Sequence, residues 1–570
     1  MMPAATDTHL LLRAFVDELA RCGVREACTS PGSRCTPIVL ALARDERLRC
    51  FSHIDERCAG FFALGAAKAT GKPVAITCTS GTAAANLAPA VIEAHEARVP
   101  LVVLTADRPA ELREVGAGQT IDQIKLYGSA AKWFFEVGTH EATPDRVRWM
   151  RALACRAVWT AAEGRPGPVH LNFALREPLV APADLEDDPQ PGRSNGRPWV
   201  LRSTPGEDTA AGGRALAVVA RDARRPIVVA GRAEPGLEAI AAACERLGWP
   251  LLADPLSGAR RGGAAIAHYD ALLRIASFAG ARRPDLVIRC GDLPTSKPLR
   301  EWLDDLGEGV TQLALHPHGA WQDPGASVEV VLAADPARTL TAAAKHVGSA
   351  DPEWLAGWLR ADARAYGAID AVLGDGGELS EPLVARRLGA QLAENATLFV
   401  ASSMPVRDVE CFTAVRDDPP RVLCNRGANG IDGTVSGAFG AAAASRPDPV
   451  VLLIGDVALA HDIGGLLAAS RLDLALTIVL LNNDGGGIFE FLPVAGERDM
   501  FEEHVATPHG LDFAHAAQLY GFDHRRAATV DELGEHLDGG GRTIIEIRTD
   551  RAANLSLHRA LNTAVAEVFA

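Results

Sequence analysis

Two short segments in the last third of the chain hold its most chemically capable residues. Val450-Val-Leu-Leu-Ile-Gly-Asp456 sets a carboxylate at the end of one apolar run, and Asn482-Asn483-Asp484-Gly485-Gly486-Gly487 sets amides at the end of another, Leu476–Leu481. Asp456 and Asn483 stand 27 positions apart, enough for a helical crossover back to a parallel neighbouring strand. Both side chains would then emerge at the carboxyl edge of one sheet, where open α/β folds bind ligands. A carboxylate, an amide oxygen and a nearby backbone carbonyl are hard oxygen donors suited to Mg²⁺, with phosphate oxygens and water completing an octahedron. The plainer reading makes Asn482–Gly485 a turn and Asp456 a helix cap; the pair at this spacing favours the cation site.

The elements that must position these groups follow an alternating strand–helix pattern. Leu11, Phe15 and Leu19, with Leu12 and Val16 beside them, make an apolar helix face that Gly23 stops. Runs rich in β-formers follow at Val74–Cys78 and Leu101–Thr105, each leading into a loop and a helical stretch. Such alternation predicts an α/β fold of parallel sheets flanked by helices. Ala181–Pro198, rich in Pro, Asp and Gly, and a polar break at Gly348–Pro352 read as linkers. They predict three domains, 1–184, 199–348 and 355–570. Pro226–Gly231, Leu237–Leu247 and Pro250–Asp254 read as strand, helix and strand of the middle one, and Leu398–Ala401 as a further strand of the last.

With 570 residues, 48% apolar and 23% charged, the chain has the composition of a folded globular protein. Its formal charge of −15 argues against non-specific nucleic-acid binding, yet leaves room for a few local arginines to hold an acidic substrate. No apolar run reaches a membrane span, and Asp7, Arg13 and Asp17 interrupt any signal-like segment. Eleven cysteines without a C-x-x-C pair read as reduced, mostly buried thiols in a cytoplasmic protein. Gly65-Ala-Ala-Lys-Ala-Thr-Gly71-Lys72-Pro73 fails as a phosphate loop, because five residues separate the glycines and Pro73 replaces the hydroxyl.

The Asp456–Asn483 arrangement resembles the magnesium–diphosphate motif of thiamine-diphosphate (ThDP) enzymes, with Val457 where that motif has a second glycine. Thr29-Ser-Pro-Gly-Ser-Arg34, His53-Ile-Asp-Glu-Arg57, Thr105-Ala-Asp-Arg-Pro109 and Asn425-Arg-Gly-Ala-Asn-Gly-Ile-Asp-Gly433 occur in order before Gly455-Asp456 and Asn482–Phe489. Together they are similar to the MenD family of that superfamily, the 2-succinyl-5-enolpyruvyl-6-hydroxy-3-cyclohexene-1-carboxylate synthases, over nearly the whole chain, most weakly in the middle domain.

The resemblance implies a three-domain ThDP-binding fold (pyrimidine, central and diphosphate domains). It implies a transferase of menaquinone biosynthesis that decarboxylates 2-oxoglutarate on ThDP and adds the succinyl carbanion 1,4 to isochorismate. Glu56 would be catalytic, hydrogen-bonding the aminopyrimidine so that the imino tautomer removes the thiazolium C2 proton; alone it reads as an ordinary helix-start acid. Ser80, Gly81, Ile431, Gly455, Asp456, Asn483 and Gly485 would join Glu56 in holding the cofactor, and Asp456, Asn483 and Gly485 would hold Mg²⁺, with Mn²⁺ as substitute. Ile431 would wedge the cofactor into its bent shape. Ser33, Arg34, Arg108, Gln119, Lys297, Ser403, Arg407 and Arg426 would bind the two dicarboxylates, for which guanidinium groups are suited. Arg407, four residues after Ser403, would share a helix face with it. Lys297 is followed by Pro298 where some relatives have arginine. Ile488, Phe489 and Leu492 would form a water-poor wall; their spacing also fits a buried helix face. Superfamily sites form across two subunits, implying a homodimer or homotetramer.

Other readings are a different ThDP decarboxylase or carboligase, a non-catalytic binding protein that has kept the fold, and a nicotinamide dehydrogenase. The last lacks a strand–G-x-G-x-x-G–helix unit. The set Arg34, Arg108, Arg407 and Arg426 would be wasted on pyruvate.

Overall fold

The computed structural model describes residues 5–180, 185–202, 209–233, 236–348, 350–374 and 377–570. The start of the expected Ala181–Pro198 linker and one residue of the Gly348–Pro352 break fall outside these. The described residues group into two compact units. One is drawn from Met1–Thr204, Asn425–Pro447 and Ala460–Leu476, the other from Pro205–Cys424, Asp448–Leu459 and Thr477–Ala570.

The first unit holds a six-stranded sheet. Its strands are β1 (Glu26–Thr29), β2 (Arg49–Ser52), β3 (Val74–Cys78), β4 (Leu101–Asp107), β5 (Trp133–Val137) and β6 (Val169–Ala174), in spatial order β2-β1-β3-β4-β6-β5. Every pairing is parallel, so all six carboxyl ends face one edge. β3, β4 and β6 are buried along their whole length, as strands covered on both faces of a parallel sheet should be, with Thr77, Thr105, Asp107, His170 and Asn172 buried among their apolar residues.

The second unit holds two more six-stranded sheets. One runs β12-β11-β10-β7-β8-β9, from β7 (Pro226–Ala230), β8 (Leu251–Ala253), β9 (Ala265–Ile266), β10 (Leu286–Cys290), β11 (Thr311–Leu315) and β12 (Val330–Leu332). The other runs β14-β13-β15-β16-β18-β17, from β13 (Thr397–Val400), β14 (Arg421–Cys424), β15 (Val450–Gly455), β16 (Leu476–Asn482), β17 (Asp523–Arg526) and β18 (Arg542–Arg548). β15 and β16 are parallel neighbours, so Asp456 and Asn483 leave one edge, as their spacing predicts.

In the first unit the Glu56–Thr70 helix begins at an Asp55 cap, whose carboxylate accepts from the N–H groups of Arg57 and Cys58. It crosses the Thr434–Ser445 helix at backbone distance. A Cβ on Gly65 would fall 1.9 Å from the Gly437 carbonyl, and one on Gly440 would fall 1.9 Å from the Phe62 carbonyl. Only glycine lets the two helices meet this closely.

The eleven cysteines are thiols, eight of them buried. Cys22 and Cys155 lie far apart in sequence, yet their sulfurs are 3.6 Å apart with Glu18 alongside. Among the described residues no helix is long and apolar enough to cross a membrane.

Overpacking a rigid interior costs about 1–3 kcal/mol, so Gly65→Ala and Gly440→Ala should each lower the thermal midpoint of the protein by calorimetry. Gly367→Ala, in an exposed stretch of the Pro352–Leu373 helix with nothing within 4 Å of the new Cβ, should raise stability by about 0.5–1 kcal/mol. Equal effects of all three would contradict the close crossing.

Candidate active site

In the second unit the site is built on the carboxyl ends of β13, β15 and β16. Asp456 is 2% exposed and opens the Asp456–His461 helix. Its Oδ1 accepts from the Val457 N–H at 2.7 Å, and its Oδ2 accepts from the N–H groups of Asn483 at 3.1 Å and Gly485 at 3.0 Å. His509 Nε2 lies 3.3 Å from the same Oδ2. Burial raises the Asp456 pKa, while these backbone N–H groups and His509 oppose the rise. Asp456 therefore does more than cap a helix: it ties two strand ends together.

The Asn483 amide is held on one side only. Its Nδ2 donates to Glu381 Oε1 at 2.8 Å, while its Oδ1 is buried with no hydrogen-bond partner among the described residues. An unpaired buried amide oxygen costs about 1–3 kcal/mol unless a ligand fills its open side. Glu381 also accepts from Thr549 Oγ1 at 2.9 Å. Its burial, helped by the nearby Asp408 carboxylate, raises its pKa to about 7.

Gly485 has φ +143, and a Cβ there would meet the Ala506 carbonyl at 2.5 Å, so the loop lies flat against the 505–510 segment. Gly485 donates to Asp456, and its carbonyl accepts from Gly487 N–H at 3.0 Å. Gly455, the last residue of β15, brings the chain to this edge. The open Asn483 oxygen beside the Asp456 carboxylate is a donor set for a hard divalent cation.

Ser403 precedes the Met404–Phe412 helix with φ +75. Arg407 donates to the Ser403 backbone carbonyl at 2.6 Å. The shared helix face expected for this pair is corrected: Ser403 lies outside the helix and meets Arg407 through its backbone. Ile488 and Phe489 are half-buried in a short 3₁₀ turn, Gly487–Phe491, and Leu492 just beyond it is exposed. They do not form a buried helix face. Lys297 starts the Lys297–Asp305 helix and is 75% exposed, ion-paired with Glu301 at 3.2 Å rather than with another candidate residue.

In the first unit the candidates sit at the carboxyl ends of four adjacent strands. Ser33 and Arg34 follow β1, Glu56 follows β2, Ser80 and Gly81 follow β3, and Arg108 follows β4. Asp55 takes the cap position, so the half-buried Glu56 is not needed there. Among the described residues no group hydrogen-bonds the Glu56 carboxylate.

Arg108 donates to Ser80 Oγ and to the Gln119 carbonyl, the latter at 2.6 Å. Gln119 Nε2 donates back to the Ser80 carbonyl at 3.2 Å. Arg34 donates to the Leu175 carbonyl at 2.9 Å and faces Glu177 at 3.2 Å. Burial and then the Arg34 charge lower the Arg108 pKa; two neighbouring guanidiniums favour an anion. Ser33 is exposed in the turn before the Thr36–Arg44 helix.

The loop bearing Arg426 and Ile431 is pinned by Glu93, which accepts from the N–H groups of Gly427 at 2.8 Å and Ala428 at 2.6 Å. Lys68, from the helix that Glu56 begins, lies 3.5 Å from Glu93, with both side chains buried. Ile431 is half-buried, its carbonyl accepting from Thr434 Oγ1 at 2.8 Å.

Residues invisible to sequence reasoning support both halves. Gln123 accepts from the Gly81 N–H at 2.9 Å and donates to Asn172 at 2.8 Å. Glu93, Glu381 and His509 act likewise. None lies in a motif, and each meets its partner across a long sequence gap.

Three family models match: "Thiamine pyrophosphate enzyme, N-terminal TPP binding domain" over residues 11–126, "Middle domain of thiamine pyrophosphate" over 195–400, and "Thiamine pyrophosphate enzyme, C-terminal TPP binding domain" over 408–547. Fold and site thus define a thiamine-diphosphate enzyme. The chain is 45% identical to the 2-succinyl-5-enolpyruvyl-6-hydroxy-3-cyclohexene-1-carboxylate synthase of Geobacillus kaustophilus, covering 98% of each chain. It is 43% identical to the synthase of that name from Halobacterium salinarum, with 97% of each covered. A Listeria monocytogenes synthase is 40% identical, with 98% of this chain and 97% of the relative covered. The chain belongs to this synthase family.

Asp456→Ala removes both a cation donor and the tie between β15 and β16. ThDP affinity measured calorimetrically in the presence of Mg²⁺ should fall by more than about tenfold. Wild-type affinity in that variant would contradict the assignment of Asp456.

Proposed function

We propose that this chain decarboxylates 2-oxoglutarate and adds the resulting four-carbon unit 1,4 to isochorismate, giving 2-succinyl-5-enolpyruvyl-6-hydroxy-3-cyclohexene-1-carboxylate and CO₂ for menaquinone biosynthesis. The observation that carries this reading is the edge of the first sheet, where Glu56, its carboxylate without a hydrogen-bond partner among the described residues, shares a rim with Arg34 and Arg108. It is supported by the family to which the chain belongs.

Asp456 and Asn483, with the Gly485 backbone, hold Mg²⁺, or Mn²⁺ in its place, against the cofactor diphosphate. When bound, ThDP supplies the electron sink that makes loss of CO₂ from a 2-oxo acid feasible. Glu56 holds a proton at its carboxyl oxygen for the aminopyrimidine nitrogen, and Ser80, Gly81 and Ile431 shape the surroundings of that ring. Arg34, Arg108, Arg407 and Arg426 bind and orient the substrate carboxylates by paired hydrogen bonds, with Ser33, Gln119, Ser403 and Lys297 assisting. Ile488, Phe489 and Leu492 exclude water from the reacting carbon.

In this reading the chain comprises domains 1–184, 199–348 and 355–570. It works in the cytoplasm as a homodimer or homotetramer whose sites lie at subunit interfaces.

Purified protein with ThDP, Mg²⁺, 2-oxoglutarate and isochorismate should form the succinylated adduct, identified by mass, and pyruvate should not replace 2-oxoglutarate. CO₂ release without adduct would move the function to another decarboxylase or carboligase. Glu56→Gln should lower turnover by about 100-fold or more while ThDP still binds with Mg²⁺; near-normal turnover would overturn the role of Glu56.

A further inference from the structure

Resting on the reading of the Asp456–Asn483 edge as the cation site of the cofactor, we propose that Glu381 is the residue that aims the Asn483 oxygen at that cation. A side-chain amide presents a donor on one side and an acceptor on the other, and half a turn exchanges them. Facing a divalent cation, only the oxygen is useful; the NH₂ group would be repelled. The sense of the amide must therefore be fixed before the ion arrives.

Glu381 fixes it. Its Oε1 accepts from Asn483 Nδ2 at 2.8 Å and from Thr549 Oγ1 at 2.9 Å, and an oxygen that already takes two donors serves the amide only as an acceptor. The reversed amide would set oxygen against oxygen. The oxygen is thereby turned away from Glu381, where it is buried and unpartnered among the described residues.

Glu381 is itself held firmly. It is 2% exposed and is the first residue of the Glu381–Gln391 helix, capped by Ser380. Thr549 Oγ1 donates to the same carboxylate oxygen at 2.9 Å, and Thr549 N–H donates to the Asn482 carbonyl at 3.0 Å. One residue beyond the end of β18 thus braces both Glu381 and the backbone next to Asn483. Groups that orient a metal ligand without touching the metal commonly contribute about 10–100-fold to metal affinity.

The test is a Mn²⁺ titration of the full chain with saturating ThDP, reading free Mn²⁺ by electron paramagnetic resonance, on wild type, Glu381→Leu and Glu381→Gln. Leucine removes the acceptor; glutamine, nearly identical in shape, can accept or donate and so permits both senses of the amide. The Leu variant should bind Mn²⁺ about 10–100-fold more weakly, and the Gln variant should shift the same way by less. Turnover in both should return at excess Mn²⁺, a shift in metal half-saturation rather than in plateau. If the Leu variant does not fold, as judged by circular dichroism, the Gln variant decides. Wild-type Mn²⁺ curves in the folded variants, or a lowered plateau at unchanged half-saturation, would overturn the positioning role alone. A wild-type protein that takes up no Mn²⁺ with ThDP would overturn the reading of the site, and this inference with it.

Discussion

The Asp456 carboxylate is the tie on which the second unit's site depends. It takes one N–H from its own helix and two from the loop after β16, so the ends of two parallel strands are fixed to each other through a buried anion. Hydrogen bonds to a charged acceptor contribute about 1.5–3 kcal/mol each, enough to offset part of the cost of burying the charge. What this geometry leaves unpaired is as telling: near the carboxylate sits an amide oxygen that accepts from no donor among the described residues. A positive ion there would relieve both the buried charge and the unpaired oxygen.

The first unit solves a related problem with opposite charges. Four adjacent parallel strands deliver Arg34, Glu56, Ser80 and Arg108 to one edge, a product of strand order rather than of sequence proximity. The Glu56–Thr70 helix fixes the reach of Glu56, and its glycine-mediated crossing with the Thr434–Ser445 helix ties the Arg426–Ile431 loop to the same unit. The buried Lys68–Glu93 pair completes that attachment, with Glu93 holding two loop amides. Removing one partner of such a pair leaves an uncompensated buried charge, so specificity of loop placement is its clearest role.

Much of this was legible from residue types and spacing. The apolar runs ending in Asp456 and Asn483 become parallel neighbours because a 27-residue interval accommodates a crossover and little else. The strand at Val74–Cys78 is read to the residue, since a short run rich in β-formers between glycine- and proline-bearing turns has few alternatives. The shared helix face expected for Ser403 and Arg407 fails because a backbone turn with positive φ at Ser403 interrupts what the i, i+4 spacing suggests. The supporting residues were beyond reach for a different reason. Glu381 and Asn483 are 102 positions apart and Glu93 and Gly427 are 334 apart, and no local period records a pairing made only by tertiary folding. The grouping of residues 425–447 and 460–476 with the amino-terminal unit escapes a linear reading for the same cause.

The central claim is that Asp456 and Asn483 form a cation site through which the cofactor is anchored. Crystals grown with Mn²⁺ and ThDP, measured at a wavelength where manganese scatters anomalously, test it most directly. The account predicts one strong anomalous peak per chain within about 2.0–2.3 Å of an Asp456 carboxylate oxygen and of Asn483 Oδ1, with diphosphate oxygens completing the shell. Cofactor density with no peak at that edge, or a peak held by other residues, would contradict it.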